Sequence, residues 1–580
     1  MAFSLVATVI ATGGFTGLAI SIAQQRNTDL ADSSESITNA MSSDSGEVVS
    51  LLRFQNVAAE VGINMHHAPG PRKRLLLEDT GSGLAWGDID GDGDWDLFVA
   101  NIPSGNDESS GSNRLYRNDQ GHFVDISEQA GITDPKAYGM GVSFADFNQD
   151  GAPDIYVTNF GPNRLFQNMG DGTFQDVAAQ AGVDGSSWST GVAWGDIDRD
   201  GDLDLYVCNY LTLSKEQLAG QSAPAEDADD GIPIALNPNS FDPAANQFYL
   251  NNGDGTFTEM AEELGLANPQ GRSLEAVFCD LDGNGFLDLY VNNDVSTNKL
   301  FQNLGGSSGT LLFADLSTQT GTADPRGSMG IAIAEIGGMT DNEDGLPDLF
   351  ITHWLAQENA LYQSLSRKGV GLEYRDKIQT LRLGEPSIQS VGWGTVLADF
   401  DLDGNLDIMI ANGSTLERRD NQQELVAERP FLFLNDSKSF HEVRSQAGES
   451  FDAPYSGRGL AAADFDSDGD IDVAINVNRG APLLFRNDSE TPHHSISVRL
   501  EAPEALCKGA KITLRSAGRQ QLSWWVTESS YLSGHAPEQI FGLGTAQQAE
   551  EIQVLWTNGK STTVQNVPAG QITIRPNPSE

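Results

Sequence analysis

The sequence predicts an all-β protein: a seven-bladed β-propeller, its ring closed by N- and C-terminal strands, followed by a small C-terminal β domain. Three observations lead there. An acidic loop recurs along the chain. A second phrase recurs at an offset from it. The two ends of the array are each incomplete, and each supplies what the other lacks.

The loop first appears in GDIDGDGDWDLFVAN (87–101), with Asp88, Asp90, Asp92 and Asp96 at positions 1, 3, 5 and 9 and Gly93 at position 6. Side-chain oxygens at this spacing wrap one hard cation, and calcium takes six to eight oxygens at about 2.3–2.6 Å. Glycine lets the backbone turn sharply. Position 7, such as Asp94 or Asp202, is expected to offer its backbone carbonyl. The motif recurs at Asp146, Asn148, Asp150 and Asp154, and at Asp196, Asp198, Asp200 and Asp204. It recurs again at Asp280, Asp282, Asn284 and Asp288, at Asp399, Asp401, Asp403 and Asp407, and at Asp464, Asp466, Asp468 and Asp472. A degenerate copy has Asn342, Asp344 and Asp348 but Thr340 at position 1, so about six calcium sites and a weak seventh are expected. One copy alone reads equally as a solvated acidic turn; six at equivalent places do not. The ligand set excludes zinc, which prefers His and Cys. The bidentate Glu of the helix-loop-helix calcium hand is absent at position 12.

Apolar residues flank every loop, as in Leu84-Ala85-Trp86 and Leu97-Phe98-Val99, giving strand, metal loop, strand. Next comes a short strand phrase: NRLYRND (113–119), NRLFQNM (163–169), NQFYLNN (246–252), NKLFQNL (298–304) and NALYQSL (359–365). FVDISEQAGI (123–132), FQDVAAQAGV (174–183), FTEMAEELGL (257–266) and FADLSTQTGT (313–322) follow, with a weaker FHEVRSQAGE at 440–449. The spacing of 50–65 residues suits one four-stranded blade. The first copy of this phrase, FQNVAAEVGI (54–63), has no strand phrase before it, and APLLFRND (481–488) has nothing after it. Joining the two ends closes a ring and removes unpaired edges.

The 580 residues divide into a signal peptide or anchor (1–23), a Ser/Asp/Asn-rich linker (24–48), the propeller (49–491) and the tail domain (492–580). Residues 2–23 carry no charge, and Ser21 and Ala23 suit a cleavage site, but no Lys or Arg precedes the apolar run. Secretory signal and uncleaved anchor both stand, and the expected location is extracellular, cell-surface or periplasmic. Insertions lie at 102–112, 211–245 and 412–429. The tail alternates in SISVRLE, AKITLRS, QLSWWVT and EIQVLW, with a hairpin turn at Asn558-Gly559. Trp524, Trp525 and Trp556 read as core, and Cys208, Cys279 and Cys507 as buried thiols.

The net charge of −48 excludes nucleic acid, because like charges repel. The six clean loops hold 22 carboxylates at ligand positions, and six calcium ions would leave −36, so much of the acidity is surface. No catalytic set emerges. His66-His67 and His493-His494 lack a metalloprotease context, no GxSxG occurs, and GKST (559–562) lacks the upstream Gly of a phosphate loop.

The repeated loop with its strands resembles the FG-GAP/VCBS repeats of integrin α-like propellers. KGAKITLRSAGRQ (508–520), SYLSGHAPEQIFGLG (530–544) and EIQVLWTNGKSTTV (551–564) resemble the ASPIC/UnbV domain. Together, over about 50–575, they resemble the cartilage acidic protein-like family. The resemblance implies a secreted or surface calcium-binding protein linked to adhesion, a non-enzymatic scaffold for a protein or glycan partner. The alternative is a carbohydrate-active enzyme or lectin using the central channel. One departure stands out: Glu335 occupies the place of position 1 in the fifth loop and an insertion follows, so that loop is expected to be empty or weak. Oligomeric state and the identity of the partner are not legible.

Overall fold

The computed structural model describes residues 49–103, 111–213, 237–305, 311–336, 345–366 and 371–577. The signal or anchor (1–23), the linker (24–48), Asn342 and Asp344 lie outside the described residues, as does most of the 211–245 insertion.

The chain forms repeated four-stranded antiparallel sheets, the architecture of a β-propeller. Sheet I pairs Leu84–Gly87, Asp96–Val99, Arg114–Asn118 and Phe123–Asp125 in chain order. Sheets II to VI repeat that order, with first strands Gly139–Ala145, Ser189–Gly195, Ser273–Cys279, Ser328–Ala334 and Gly392–Ala398. Sheet VII takes Gly457–Ala463, Asp472–Val477 and Leu483–Asn487 from the end of the array and Phe54–Asn56 from its start, with Phe54 opposite Asn487. The first strand of each sheet packs on that of the next, and that of sheet VII packs on that of sheet I.

Hairpin geometry follows from the loop sequence. In every sheet the residue before the loop pairs with the position-9 aspartate, as Gly87 with Asp96 and Ala398 with Asp407. Sheets II to VII carry a register shift near the start of the first strand. Such bulges add local twist. The F-x-x-V phrase forms a three-residue strand and then one helical turn, ended by a left-handed glycine such as Gly131 (φ 77°) or Gly182 (φ 80°). That turn buries Ile132, Val183 and Leu266 completely between sheets. Apolar clusters span neighbouring sheets: Phe98 and Leu115 of sheet I pack with Phe144 and Ile155 of sheet II.

The last Asn of the strand phrase stitches sheets together. Asn168 Nδ2 donates to Ile89 O of sheet I at 2.9 Å, Asn303 to Ile197 O at 3.1 Å, and Asn118 to Phe465 O across the seam at 2.8 Å. Each amide holds the turn of the preceding sheet's metal loop. Asn168→Ala removes bonds to Ile89 O and Pro153 O and the acceptor for Gly170 N. It should cost about 2 kcal/mol in a urea titration, because buried polar groups lose their partner. Asn252→Ala, at an exposed turn, should cost close to nothing.

The tail folds as two sheets. One holds Gln539–Gly544, His494–Leu500 and Gly570–Ile574; the other holds Arg519–Trp524, Lys511–Ser516, Gln548–Leu555 and Ser561–Pro568. Val498, Ile512, Trp525 and Trp556 are among the residues of its core. Trp524 packs instead with sheets IV and V, beside Tyr290 and Ile351. All three cysteines are free and buried.

Candidate functional site

The acidic loops are built by their own backbone. Asp88 Oδ1 accepts the N–H of Gly91 at 2.8 Å and of Asp92 at 3.1 Å, and its Oδ2 accepts that of Gly93. Asp399 and Asp464 accept the equivalent N–H groups of positions 5 and 6. Position 6 has φ between 88° and 100° in the six clean loops, a region that favours glycine. Position 4 is left-handed as well, although it is filled by Gln149, Arg199, Leu402 and Ser467 in four of them.

This folding draws positions 1, 3 and 9 together. In five loops one carboxylate oxygen from each lies within 4.8 Å of the others: Asp88, Asp90 and Asp96; Asp196, Asp198 and Asp204; Asp280, Asp282 and Asp288; Asp399, Asp401 and Asp407; Asp464, Asp466 and Asp472. The second loop has an amide at position 3; Asn148 Nδ2 donates to Asp150 at 2.9 Å, beside Asp146 and Asp154. These triplets suit a hard cation.

Position 5 behaves differently from the simple spacing argument. Asp92, Asp200, Asp403 and Asp468 lie outside the triplets. In each, Oδ1 accepts the N–H of position 7 and closes a local turn, at 2.8–3.0 Å. Asp150 and Asn284 close the same turn on Ala152 and Phe286. One oxygen thus holds the loop in shape; the second oxygen of Asp150 accepts Asn148 Nδ2, that of Asp403 accepts Asn405 Nδ2, and Asn284 has no second oxygen. The side chains of Asp94 and Asp202 turn outward, accepting Gln120 N and Gln149 Nε2.

Position 9 joins the site to the sheet. Asp96 Oδ2 accepts Ile89 N at 2.8 Å and its Oδ1 accepts Asn118 N at 2.7 Å. Asp204 does the same with Ile197 N and Asn251 N, and Asp472 with Phe465 N and Asn487 N. The degenerate fifth loop keeps this framework: Asp348 accepts Ile336 N and Ser364 N. Asp348 therefore stays buried as a structural residue whether or not that loop takes metal.

Burial first, and then neighbouring carboxylates, push these acids up: Asp96 and Asp154 to about 8 and Asp196 to about 7. Backbone N–H donors oppose the shift without cancelling it. A cation would relieve this repulsion. Asp196→Ala is expected to remove one bound calcium ion per chain in metal analysis. Asp202→Ala keeps the position-7 carbonyl and should remove none.

The tail sits on this loop face. Arg499 Nη1 donates to Gly93 O at 2.8 Å, Ser495 Oγ to Gly469 O at 2.9 Å and Arg519 Nη2 to Gly404 O at 3.2 Å. Lys511 reaches Gly345 O of the degenerate loop. Between its two sheets' strands the tail sends Ser530–Ala536 in among the first strands of the sheets. Ile331 N donates to Ser530 O at 2.8 Å and Thr395 N to Ser530 Oγ at 3.1 Å. Val142 N donates to Leu532 O, Leu532 N to Glu275 Oε2, and Ala462 N to His535 Nδ1. Gly534 exchanges backbone bonds with Leu84 and Trp86. First strands of six sheets are thus engaged. A Cβ on Gly83 would lie 1.6 Å from Leu532 O, which explains glycine there. Tyr531, fully buried, packs its ring 4.8 Å from that of Trp393, and its hydroxyl donates to Thr80 O.

His67 and His493 are each held by a contact within the protein. His67 is fully buried, with Nε2 3.0 Å from Ser82 Oγ, and His493 Nδ1 lies 2.6 Å from Asp401 O. Three features escaped the sequence reading: the stitching asparagines, the turn-closing role of position 5 and the channel segment. The asparagines were visible as a repeated letter, and the channel segment carried no periodic signal.

The FG-GAP-like repeat family matches residues 88–157, 146–207, 230–291 and 399–475, and the ASPIC and UnbV family matches 501–579. The chain is similar to cartilage acidic protein 1 of Xenopus tropicalis, 26% identical over 517 residues, which cover 84% of this chain and 72% of that protein. It is similar to the Mus musculus protein of that name, 30% identical over 256 residues, covering 42% of this chain and 32% of the relative. For the Homo sapiens protein the identity is 27% over 257 residues, covering 42% and 31%. The matched stretch thus spans about a third of the length of the mouse and human proteins.

Proposed function

We propose that the chain, a member of the cartilage acidic protein-like family by its FG-GAP-like repeats and its ASPIC and UnbV domain, is a secreted or surface calcium-binding propeller that acts as a non-enzymatic interaction scaffold. Its partner is an extracellular protein or glycan. The seven sheets are read as seven blades, closed by Phe54–Asn56. The observation that carries the reading is the set of five carboxylate triplets at equivalent places in the repeats. Calcium is the cation that suits an all-oxygen set with room for backbone carbonyls and water; magnesium demands a tighter octahedron.

The metal would be structural, holding the turn between two strands of each blade. The bonds of Ser530–Ala536 to the first strands weigh against the channel alternative, enzyme or lectin. No helix among the described residues is long and apolar enough to cross a membrane. Binding would fall to loops on the face away from the tail, where 412–429 is tied down by Glu417 to Arg72 and Arg74.

Glycan and matrix-protein arrays probed with the full chain test this. Capture that appears in calcium and vanishes in EDTA is the expected result. Cleavage of an arrayed polysaccharide, or capture indifferent to calcium, would overturn it.

A further inference from the structure

One position is equivalent in all seven sheets: the last but one residue of the first strand, two before position 1 of the loop. Sheets I to IV fill it with Trp86, Phe144, Trp194 and Phe278, which are 1, 9, 3 and 3% exposed. Sheets V to VII fill it with Ile333, Leu397 and Ala462, all half-buried. Three neighbouring sheets therefore lack the ring that the other four carry. A cavity of about 410 Å³ opens over those three residues, roofed by the tail strands Arg519–Trp524 and Gln539–Phe541. That volume lies in the range of small-molecule sites.

The lining defines the chemistry. Besides the three floor residues, Leu522, Val526 and Ile540 supply aliphatic surface. The charged groups in the wall each make contacts within the protein. Arg519 is spent on Asp403 O, Gly404 O and Asn405 Oδ1. Glu538 accepts Trp95 Nε1, Asp464 N and Ser497 Oγ. His535 is lowered to about 4 by burial and accepts Ala462 N, so it is neutral. Glu335 also makes a contact within the protein, although its Oε2 accepts no hydrogen bond among the described residues. A charged ligand would find Arg519 and Glu335 in the wall but would have to compete with the contacts they already make, at a cost in desolvation that a neutral ligand avoids.

The roof amides are half used. Gln521 Nε2 donates to Gly542 O at 2.6 Å, and Gln539 Oε1 accepts Ser523 Oγ. Gln521 Oε1 and Gln539 Nε2 have no partner among the described residues. One neutral acceptor and one neutral donor thus remain above an aliphatic floor. A second cleft, of about 380 Å³ on the side of Trp86 and Phe144, is different in kind: Asp88, Asp146 and Glu504 line it, and it belongs to the metal loops.

We propose that the cavity over Ile333, Leu397 and Ala462 binds a small uncharged organic molecule with an aliphatic body and a hydroxyl or amide head. The proposal is independent of the scaffold reading, since it needs neither an extracellular partner nor a free channel.

The probe is the neutral dye N-phenyl-1-naphthylamine, titrated by fluorescence into the calcium-loaded full chain and displaced by 1-octanol, octanoate or octylamine. Saturable binding is expected, with 1-octanol displacing the dye at concentrations at least about tenfold below those of the two charged analogues. Ala462→Phe and Leu397→Phe restore the ring found in sheet II and should each abolish dye binding. Since a ring there can disturb packing, Gln539→Met forms the second arm: the dye still binds, but 1-octanol weakens about tenfold. The proposal is overturned by no saturable binding to the wild type, by equal binding to folded Ala462→Phe and Leu397→Phe, by octanoate matching 1-octanol, or by an unchanged 1-octanol affinity in Gln539→Met.

Discussion

Calcium removal by EDTA should lower the melting temperature by more than about 10 °C, and added calcium should restore it. The size follows from two terms. A ligand that binds only the folded state at a hundred times its dissociation constant adds about 2.7 kcal/mol per site. Five triplets are present, so the sum rivals the whole stability of an ordinary domain, about 5–15 kcal/mol. The second term is repulsion in the emptied loop. Two carboxylate charges 4.8 Å apart repel by about 3 kcal/mol at an effective dielectric of 20, and the position-9 acid, lifted by burial, relieves part of this in the empty loop by holding a proton. Magnesium should restore less than calcium, because it sheds water reluctantly. A calorimetric melt with metal analysis of the purified protein checks this. A melt indifferent to EDTA, with no metal bound, would leave the loops as acidic turns. The strand pairing would stand and the calcium reading would fall.

The loops were the legible part of the molecule because each acts within nine residues. Local spacing places Asp88, Asp90 and Asp96 in one cluster, since the glycine turn folds the chain back before any tertiary contact forms. Spacing does not say which oxygen of Asp92 faces inward, so the turn it closes on Asp94 N was not visible. Sheet VII was legible for another reason: an orphan phrase at one end and a missing phrase at the other are a pattern that pairing satisfies. The channel segment had no such mark. SYLSGHAPEQ has no strand or helix period, and its partners lie 449 residues away at Leu84 and 73 away at Ala462. Long-range bonds to backbone amides leave no trace in side-chain type, except for the glycines that make room. The replacement of Trp86, Phe144, Trp194 and Phe278 by Ile333, Leu397 and Ala462 was present in the sequence. Its meaning depends on knowing that the tail covers those three positions.

Lys508→Ala should destabilise the protein by about 3–5 kcal/mol and free the channel segment. Lys508 lies at the root of that segment and its side chain is 2% exposed. Its ammonium donates to Glu528 and, at 2.6 Å, to Thr527 Oγ1, and Glu504 lies 3.3 Å away. Burial alone would pull the ammonium toward neutrality, and the carboxylates of Glu528 and Glu504 hold it charged. Removing the lysine strands Glu528, 5% exposed at its side chain, with the Thr527 hydroxyl and no counter-charge. The carboxylate must then be protonated or drawn toward water, and the chain carrying it leaves the ring with it. Urea unfolding gives the energy, and limited proteolysis reports the segment. Wild type should resist cutting between Val526 and Glu538, and Lys508→Ala should be cut there first. The double variant Lys508→Met, Glu528→Leu separates the two roles of the pair. Apolar residues of similar volume commonly replace a buried ion pair at little cost. The double change should therefore recover most of the lost stability and the protease resistance. A Lys508→Ala protein within about 1 kcal/mol of wild type would mean that the backbone bonds of Ser530, Leu532 and Gly534 alone seat the segment.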